Sequence, residues 1–378
     1  MGLRRGHRAN PFEWVAEKVI FIVSLTAILM VFLIFLFIGR EAWPVAFGQM
    51  NTALVQKVRP VSDMDKMTPV ELCDYLGLTV AELAKMDRET LKTLMELKIE
   101  AVKESSQNKD AAINTTQWRY LVRPYQWDGY SRPEFIWQPV SEIHKYNIVP
   151  LIVGSLKVTI VAMLFAVPLA LAAAIYVSQL ARPRVREVAK PVIELLAGIP
   201  SVVLGFFALI VMATVLQRVF GAESRLNALC AGLALGFSVI PVVFSIAEDA
   251  LTSVPRTYVQ AALALGASHW KAAWQVVLPA ALPGVFAAVA LGFGRAVGET
   301  MIVLMASGNA SIMSWSLFDS ARTITATIAA ELGEVVFGGA HYRILFLIGV
   351  LLFIVTFLTN FSADLVLHRL KARMEGKR

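Results

Sequence analysis

The chain has 378 residues, of which 57% are hydrophobic and only 17% charged, and its mean hydropathy is +0.63. A soluble domain is about 45–50% apolar and about 25% charged, so the composition excludes a soluble globular protein and points to an integral membrane one. The net charge of +7 then marks membrane-flanking loops on one side rather than a nucleic-acid surface, and the two cysteines, Cys73 in a polar stretch and Cys230 in an apolar one, give neither a disulfide framework nor a metal cluster.

Residues 1–18 are polar and basic, with Arg4, Arg5, Arg8 and Lys18. Residues 19–39 then carry no charge. As a helix they reach about 31 Å, enough to cross the hydrocarbon core. The run is longer than the apolar core of a signal peptide, and Arg40-Glu41-Ala42-Trp43 is no cleavage site. It reads as a first span with Trp43 at the far interface.

Residues 40–147 are too charged to enter lipid and form an extracytoplasmic insert. Three helix starts are predicted within it. Thr68-Pro69-Val70-Glu71 combines a cap, a first-turn proline and a capping-box glutamate, with Gly77 as a stop. Thr79 and Glu82 repeat the box, and Asp87 caps a third helix with an apolar stripe of Leu91, Leu94, Met95 and Val102. Residues 118–137, rich in Trp, Tyr and Pro, read as extended. The insert is either a packing element or a docking site, and it holds no catalytic constellation.

Five more apolar runs follow, at 148–180, 195–216, 226–246, 283–305 and 344–367. Arg182, Arg184, Arg186 and Lys190 fall in a short loop after the first of these, and the tail at 368–378 is basic. The fold class is therefore all-α and membrane-embedded, with six transmembrane helices, the termini and the loops 181–190 and 252–282 on the positive, cytoplasmic side. Glycine and proline within several spans point to close helix contacts in a bundle.

The connector 252–282 is amphipathic and mildly basic. By residue type it reads as an interfacial helix anchored by Trp270 and Trp274. Its spacing says more. Gln260-Ala261-Ala262, Gly266, Val276 and Leu278-Pro279 reproduce the spacing of the EAA loop of ATP-binding-cassette importer permeases, with glutamine for the glutamate and valine for the isoleucine. In that resemblance small residues let a helix seat on a separate ATPase and Gly266 turns the chain. Leu278-Pro279 is expected to end the loop before the next span. No G-x-x-x-x-G-K-[ST] occurs in the chain, so ATP must be held by another polypeptide.

Arg295 falls roughly 18 Å into the fifth run by helical rise, with Glu299 one turn on along the same face. A charge at that depth faces a pore or a partner. The two side chains form either an ion pair that fixes packing or a translocation site, the guanidinium meeting an oxyanion while Glu299 holds or competes for it. Gly294 and Gly298 flank them and would admit a neighbouring helix.

Residues 148–370 resemble the permease subunits of the bacterial phosphate importer, the Pst system. The resemblance rests on the run 196–205 (LAGIPSVVLG), the EAA-type loop, the run 294–300 (GRAVGET) and the run 323–329 (TITATIA). The wording around Arg295 is more similar to the PstC-type subunit than to its PstA-type partner. The resemblance implies a type I importer permease core in the bacterial inner membrane. It implies pairing with a PstA-type subunit, an ATPase dimer and a periplasmic phosphate-binding protein, and a transport role for Arg295 and Glu299. It implies no enzyme activity, cofactor or metal in this chain, and it does not cover the insert. Import of another oxyanion, such as sulfate or molybdate, and a membrane-embedded regulatory or sensory subunit are the alternatives.

Overall fold

The computed structural model describes residues 11–53, 67–68, 72, 76, 86–107 and 109–374. Among them are six helical segments long and apolar enough to cross a membrane: Ala16–Ala46, Val149–Leu180, Ser201–Phe220, Ala228–Thr252, His269–Gly298 and Ala340–Val366. The expected six spans are present, with altered edges.

Helix α1 (Pro11–Ala46) overruns the apolar run at both ends, and its apolar side chains are exposed along most of its length. It leans on the last helix through Phe35 against Phe353 and Phe37 against Phe346, ring centroids 4.1 and 5.7 Å apart. Lipid is the natural cover for the rest of that surface.

In the insert, α2 (Arg88–Gln107) begins at Asp87 as predicted, the carboxylate accepting the Thr90 N–H at 2.8 Å. Met95 and Leu91 pack with Leu72. Of the first predicted helix start, Pro69 to Glu71 and Gly77 lie outside the described residues, as do Thr79, Glu82 and Cys73. The stretch expected to be wholly extended opens instead with a short helix, α3 (Trp118–Val122), and continues into the pair β1 (Trp137–Gln138) and β2 (Lys145–Tyr146), with Trp137 opposite Tyr146. Trp118 Nε1 donates to the Ala46 carbonyl at 2.8 Å, which ties this helix back to the end of α1. Leu121, Trp137 and Tyr146 share one buried cluster with Ile148, Leu151, Ile344 and Ile348. The second half of the insert is thus packed onto the bundle.

Helix α4 (Val149–Ile175) continues through a π turn at Tyr176–Leu180. Ala162, Ala166, Ala170 and Ala174 are all buried, a four-residue stripe of small side chains that lets another helix come close. The segment expected to be a basic loop is instead a helix, α5 (Pro183–Ala197). Pro183 supplies the favoured first-turn proline, and Arg186, Ala189, Lys190 and Ile193 line one helical face, where Ala189 and Ile193 meet the core. The next span consequently begins at Ser201, not 195: α6 (Ser201–Phe207), a π turn at Ala208–Met212 and α7 (Ala213–Phe220), ended by Gly221 at φ 65°.

Helix α8 (Ala228–Thr252) starts where Asn227 Oδ1 accepts the Cys230 N–H at 2.9 Å and runs beyond the expected 246. A Cβ at Gly232 would overlap Val161, and one at Gly236 would overlap Phe165, so α8 lies directly on α4. The connector holds α9 (Arg256–Ala264) and α10 (His269–Ala272). Through a π turn at Ala273–Val277, α10 passes into α11 (Leu278–Gly298). Leu278-Pro279 therefore does not separate loop from span. Proline removes a backbone donor and crowds the preceding turn, and it lies just past the widened π turn, so the helix continues. Beyond α11 come α12 (Met301–Ala306), an irregular hairpin, α13 (Ile324–Glu331) and α14 (Ala340–Met374).

Candidate translocation and coupling site

The fifth span ends at Gly298, so Arg295 lies in its last turn and not near its middle. There the cation complements the negative end of the helix. Glu299 leaves the helix at φ −71° and ψ 136°. It is thereby removed from the face of Arg295, and no ion pair between the two occurs among the described residues. The Glu299 carboxylate instead accepts the N–H of Thr300 at 3.2 Å. The Arg295 side chain is exposed on this chain. Of the flanking glycines, Gly294 abuts the amide of Asn360 on α14, where a Cβ would come within 3.2 Å of Oδ1, while Gly298 faces open space.

The break is served by the 323–329 run. Thr323 Oγ1 caps α13 by accepting the Ala326 N–H at 3.3 Å, and Thr327 donates to the Thr323 carbonyl at 2.8 Å. Thr325 donates to the Glu299 carbonyl at 2.9 Å. A span interrupted within a membrane needs such partners for its freed main-chain groups. The hairpin is held from α4. Ser155 Oγ accepts the Ile324 N–H at 3.0 Å, Lys157 Nζ donates to the carbonyls of Ser314 and Ser316 at 3.0 and 2.8 Å, and Gly154 makes room for the Arg322 carbonyl. The role of Lys157 was not legible in the sequence, because its partners are main-chain carbonyls of a distant loop. From the other side, Gly205 of the 196–205 run lies against Met301 and Ile302 of α12.

A second cluster anchors the insert to this end of the bundle. Glu331 accepts from Arg322 at 2.5 Å, from His341 at 2.9 Å and from Trp137 Nε1 at 3.2 Å. Beside it, burial raises the Tyr146 hydroxyl above the ordinary tyrosine range.

At the opposite end, α9 buries no residue. Gly266 sits at φ 84°, a conformation open to glycine. Its N–H donates to the Leu263 carbonyl at 2.9 Å, and the Ala267 N–H donates to Ala262 at 3.1 Å, the paired bonds of a Schellman ending. Ser268 then caps α10. Gln260 and Ala261 are exposed, Ala262, Val276 and Leu278 are half-buried, and Leu278 packs against the core. The sequence reading missed Tyr258 and Leu265. Both are exposed and, with Ala261 and Ala262, complete an i, i+3, i+4, i+7 face. Also missed was Glu248, whose carboxylate is fully buried between Arg186 at 2.6 Å and Lys190 at 2.7 Å. The pairing holds the Lys190 ammonium above the usual lysine range, chiefly through its hydrogen bond to Glu248.

Two sites thus lie at opposite ends of one bundle, an exposed arginine beside an interrupted span and an outward helix–turn–helix. Residues 166–376 match the family model described as the binding-protein-dependent transport system inner membrane component. The probable ABC transporter permease protein YqgH of Bacillus subtilis is 36% identical over 235 residues, 61% of this chain and 76% of the relative. The phosphate transport system permease protein PstC of Mesorhizobium japonicum is 36% identical over 256 residues, 63% of this chain and 77% of the relative. A solved structure of the inward-facing MetNI methionine ABC transporter aligns with 59% of this chain and 95% of its own, at 20% identity and a TM-score of 0.46. The chain belongs to the family of binding-protein-dependent transport system inner membrane components.

Proposed function

We propose that this chain is the permease subunit of an ATP-driven phosphate importer, of the PstC type. The observation that carries the substrate is the 36% identity, over 77% of its length, to a relative named PstC, together with the family match over residues 166–376, which include Arg295 and Glu299. The chemistry agrees. An arginine with no carboxylate partner among the described residues presents a planar, permanently charged fork that matches a tetrahedral oxyanion.

In this reading Arg295 meets phosphate on a path shared with a second, PstA-type subunit. Glu299, whose carboxylate accepts the Thr300 N–H, lies beside that path as the acid that would compete with the anion for the guanidinium. A periplasmic phosphate-binding protein delivers the anion at the insert end. The connector seats on an ATPase dimer through Gln260, Ala261 and Ala262, with Gly266 as the turn and Val276, Leu278 and Pro279 leading into the span. Hydrolysis falls to that ATPase, and this chain does no covalent chemistry. Arg182, Arg184, Arg186 and Lys190 at the connector end favour an inner-membrane topology with both termini cytoplasmic and residues 40–147 periplasmic.

The test is labelled phosphate uptake in cells that depend on this transporter. Arg295→Gln is expected to abolish uptake with the complex still assembled, and Arg295→Lys to restore a fraction of it. Wild-type uptake by Arg295→Gln, or displacement of phosphate by sulfate at equal concentration, overturns the reading.

A further inference from the structure

Glu248 lies on the last turns of α8, and its side chain is 0% exposed. Both of its oxygens are engaged. Oε1 accepts from Arg186 Nη2 at 2.6 Å and from the Thr252 hydroxyl at 2.9 Å, and Oε2 accepts from Lys190 Nζ at 2.7 Å. The cluster is extended by Arg186 to Thr252 at 2.9 Å and by Lys190 to Asp249 at 3.0 Å. Gln179, in the π turn after α4, adds a bond to the Leu251 carbonyl at 3.2 Å, and Ser245 donates to Glu194 at 3.4 Å. Two cations one helical turn apart on α5 therefore grip one buried carboxylate on α8.

Burying a carboxylate between cations is a poor way to gain stability, since well-packed apolar residues serve as well or better. What the ion cluster adds is a fixed register: α5 cannot slide or roll on α8 without stranding a buried charge. Its location gives that rigidity a use. Only Ser253, Val254 and Pro255 separate α8 from α9 of the connector, and Val254 and Val259 both pack on the core. On its other side α5 leads through Gly198, Ile199 and Pro200 into α6. Gly205 of α6 rests on the backbone of α12, directly after the break at Glu299.

We infer that Glu248, with Arg186 and Lys190, is the joint that carries displacement of the connector from α8 into α5 and onward through α6 to the break beside Arg295. Arg186, Lys190 and Glu248 are positioning residues, acting on the path through the helices they lock. The inference rests on the reading of the connector as the ATPase contact. A weakened joint uncouples hydrolysis from transport, whereas a damaged substrate site lowers uptake without changing how the connector moves.

The experiment uses the whole transporter, with its second permease subunit, ATPase and binding protein, in proteoliposomes. ATP hydrolysis and labelled phosphate uptake are measured on the same samples. The triple variant Arg186→Met, Lys190→Met, Glu248→Met replaces the ions with apolar side chains and preserves packing. It is expected to assemble and to hydrolyse ATP within about twofold of wild type while phosphate moved per ATP falls about tenfold. Glu248→Gln alone is expected to lower the same ratio, and Lys190→Arg to keep it. An unchanged ratio in the triple variant overturns the proposal, and so does a triple variant that no longer assembles, since the cluster is then structural only. Wild-type vesicles that hydrolyse ATP without taking up phosphate overturn the parent reading and this one with it.

Discussion

The hydroxyl of Thr325 donates to the main-chain carbonyl of Glu299 at 2.9 Å, closing the hairpin between α12 and α13 onto the broken end of the fifth span. The bond fixes where Glu299 sits, and the Glu299 carboxylate is in turn held by the Thr300 N–H. Arg295 therefore stays available although an acid lies four positions away. Interruption of the helix separates two charges that an unbroken helix would have paired.

Thr325→Val removes that donor and leaves a part-buried carbonyl without it. The cost is about 1–3 kcal/mol for the arrangement of the break, and phosphate uptake is expected to fall about tenfold, the equivalent of roughly 1.4 kcal/mol. Thr325→Ser retains the hydroxyl and is expected to transport normally. Equal uptake by the serine and valine variants would separate the hydroxyl from the function of the break.

Gly154 tests how the hairpin is seated. A Cβ there would overlap the Arg322 carbonyl oxygen, a main-chain atom with little room to yield. Gly154→Ala is expected to destabilise the subunit by about 1–3 kcal/mol, seen as a lower melting midpoint of the purified transporter. Gly349→Ala on α14 is the control, since its Cβ would meet only the Ile328 Cδ1 at 3.8 Å, and it should melt like wild type.

The six spans were legible in the sequence because uncharged runs of that length have few other uses, and the connector because its spacing is specific. What was lost lay where the signal is not local. Residues 182–190 read as a basic loop, since Arg186 and Lys190 look like membrane-flanking charges until Glu248, far along the chain, is set between them. Their placement on one face with Ala189 and Ile193 was the available clue. Leu278-Pro279 is expected to end the loop because proline resists helix continuation, but a π turn at Ala273–Val277 precedes Pro279 and the helix runs on. The depth of about 18 Å expected for Arg295 counts from residue 283, whereas the helix that holds it runs Leu278–Gly298 and ends just beyond it.

Asp87 gives a pH dependence whose sign is fixed. The Thr90 N–H, bonded to its carboxylate at 2.8 Å, holds its pKa below the ordinary aspartate value. A carboxyl depressed in the folded state contributes stability above its unfolded pKa, and the contribution is lost as pH falls through the folded value. Amide protection at the start of α2, corrected for intrinsic exchange, should therefore decline as pH drops below about 4. Asp87→Asn keeps the cap and should flatten that decline, and Asp87→Ala should lack the protection throughout. A decline of equal size in the asparagine variant would assign it to another group.

Leu265 bears on the proposed coupling face. It is 90% exposed beside the left-handed Gly266 and shares a helical face with Tyr258, Ala261 and Ala262. Apolar side chains at that spacing are the anchors of a helix laid in a groove, and among the described residues Tyr258, Ala261 and Leu265 are exposed and Ala262 is only half-buried. Leu265→Ala should leave the melting midpoint of the isolated subunit unchanged, because the side chain has little to lose there. Its binding to the ATPase should weaken by about 1–3 kcal/mol, the scale of an anchor residue, and co-purification should drop accordingly. Gly266→Ala strains the turn by about 1–2 kcal/mol and should lower ATPase binding without altering the exposed face. If Leu265→Ala retains the ATPase as firmly as wild type while Gly266→Ala loses it, the contact depends on the angle between α9 and α10 and not on the apolar face of α9.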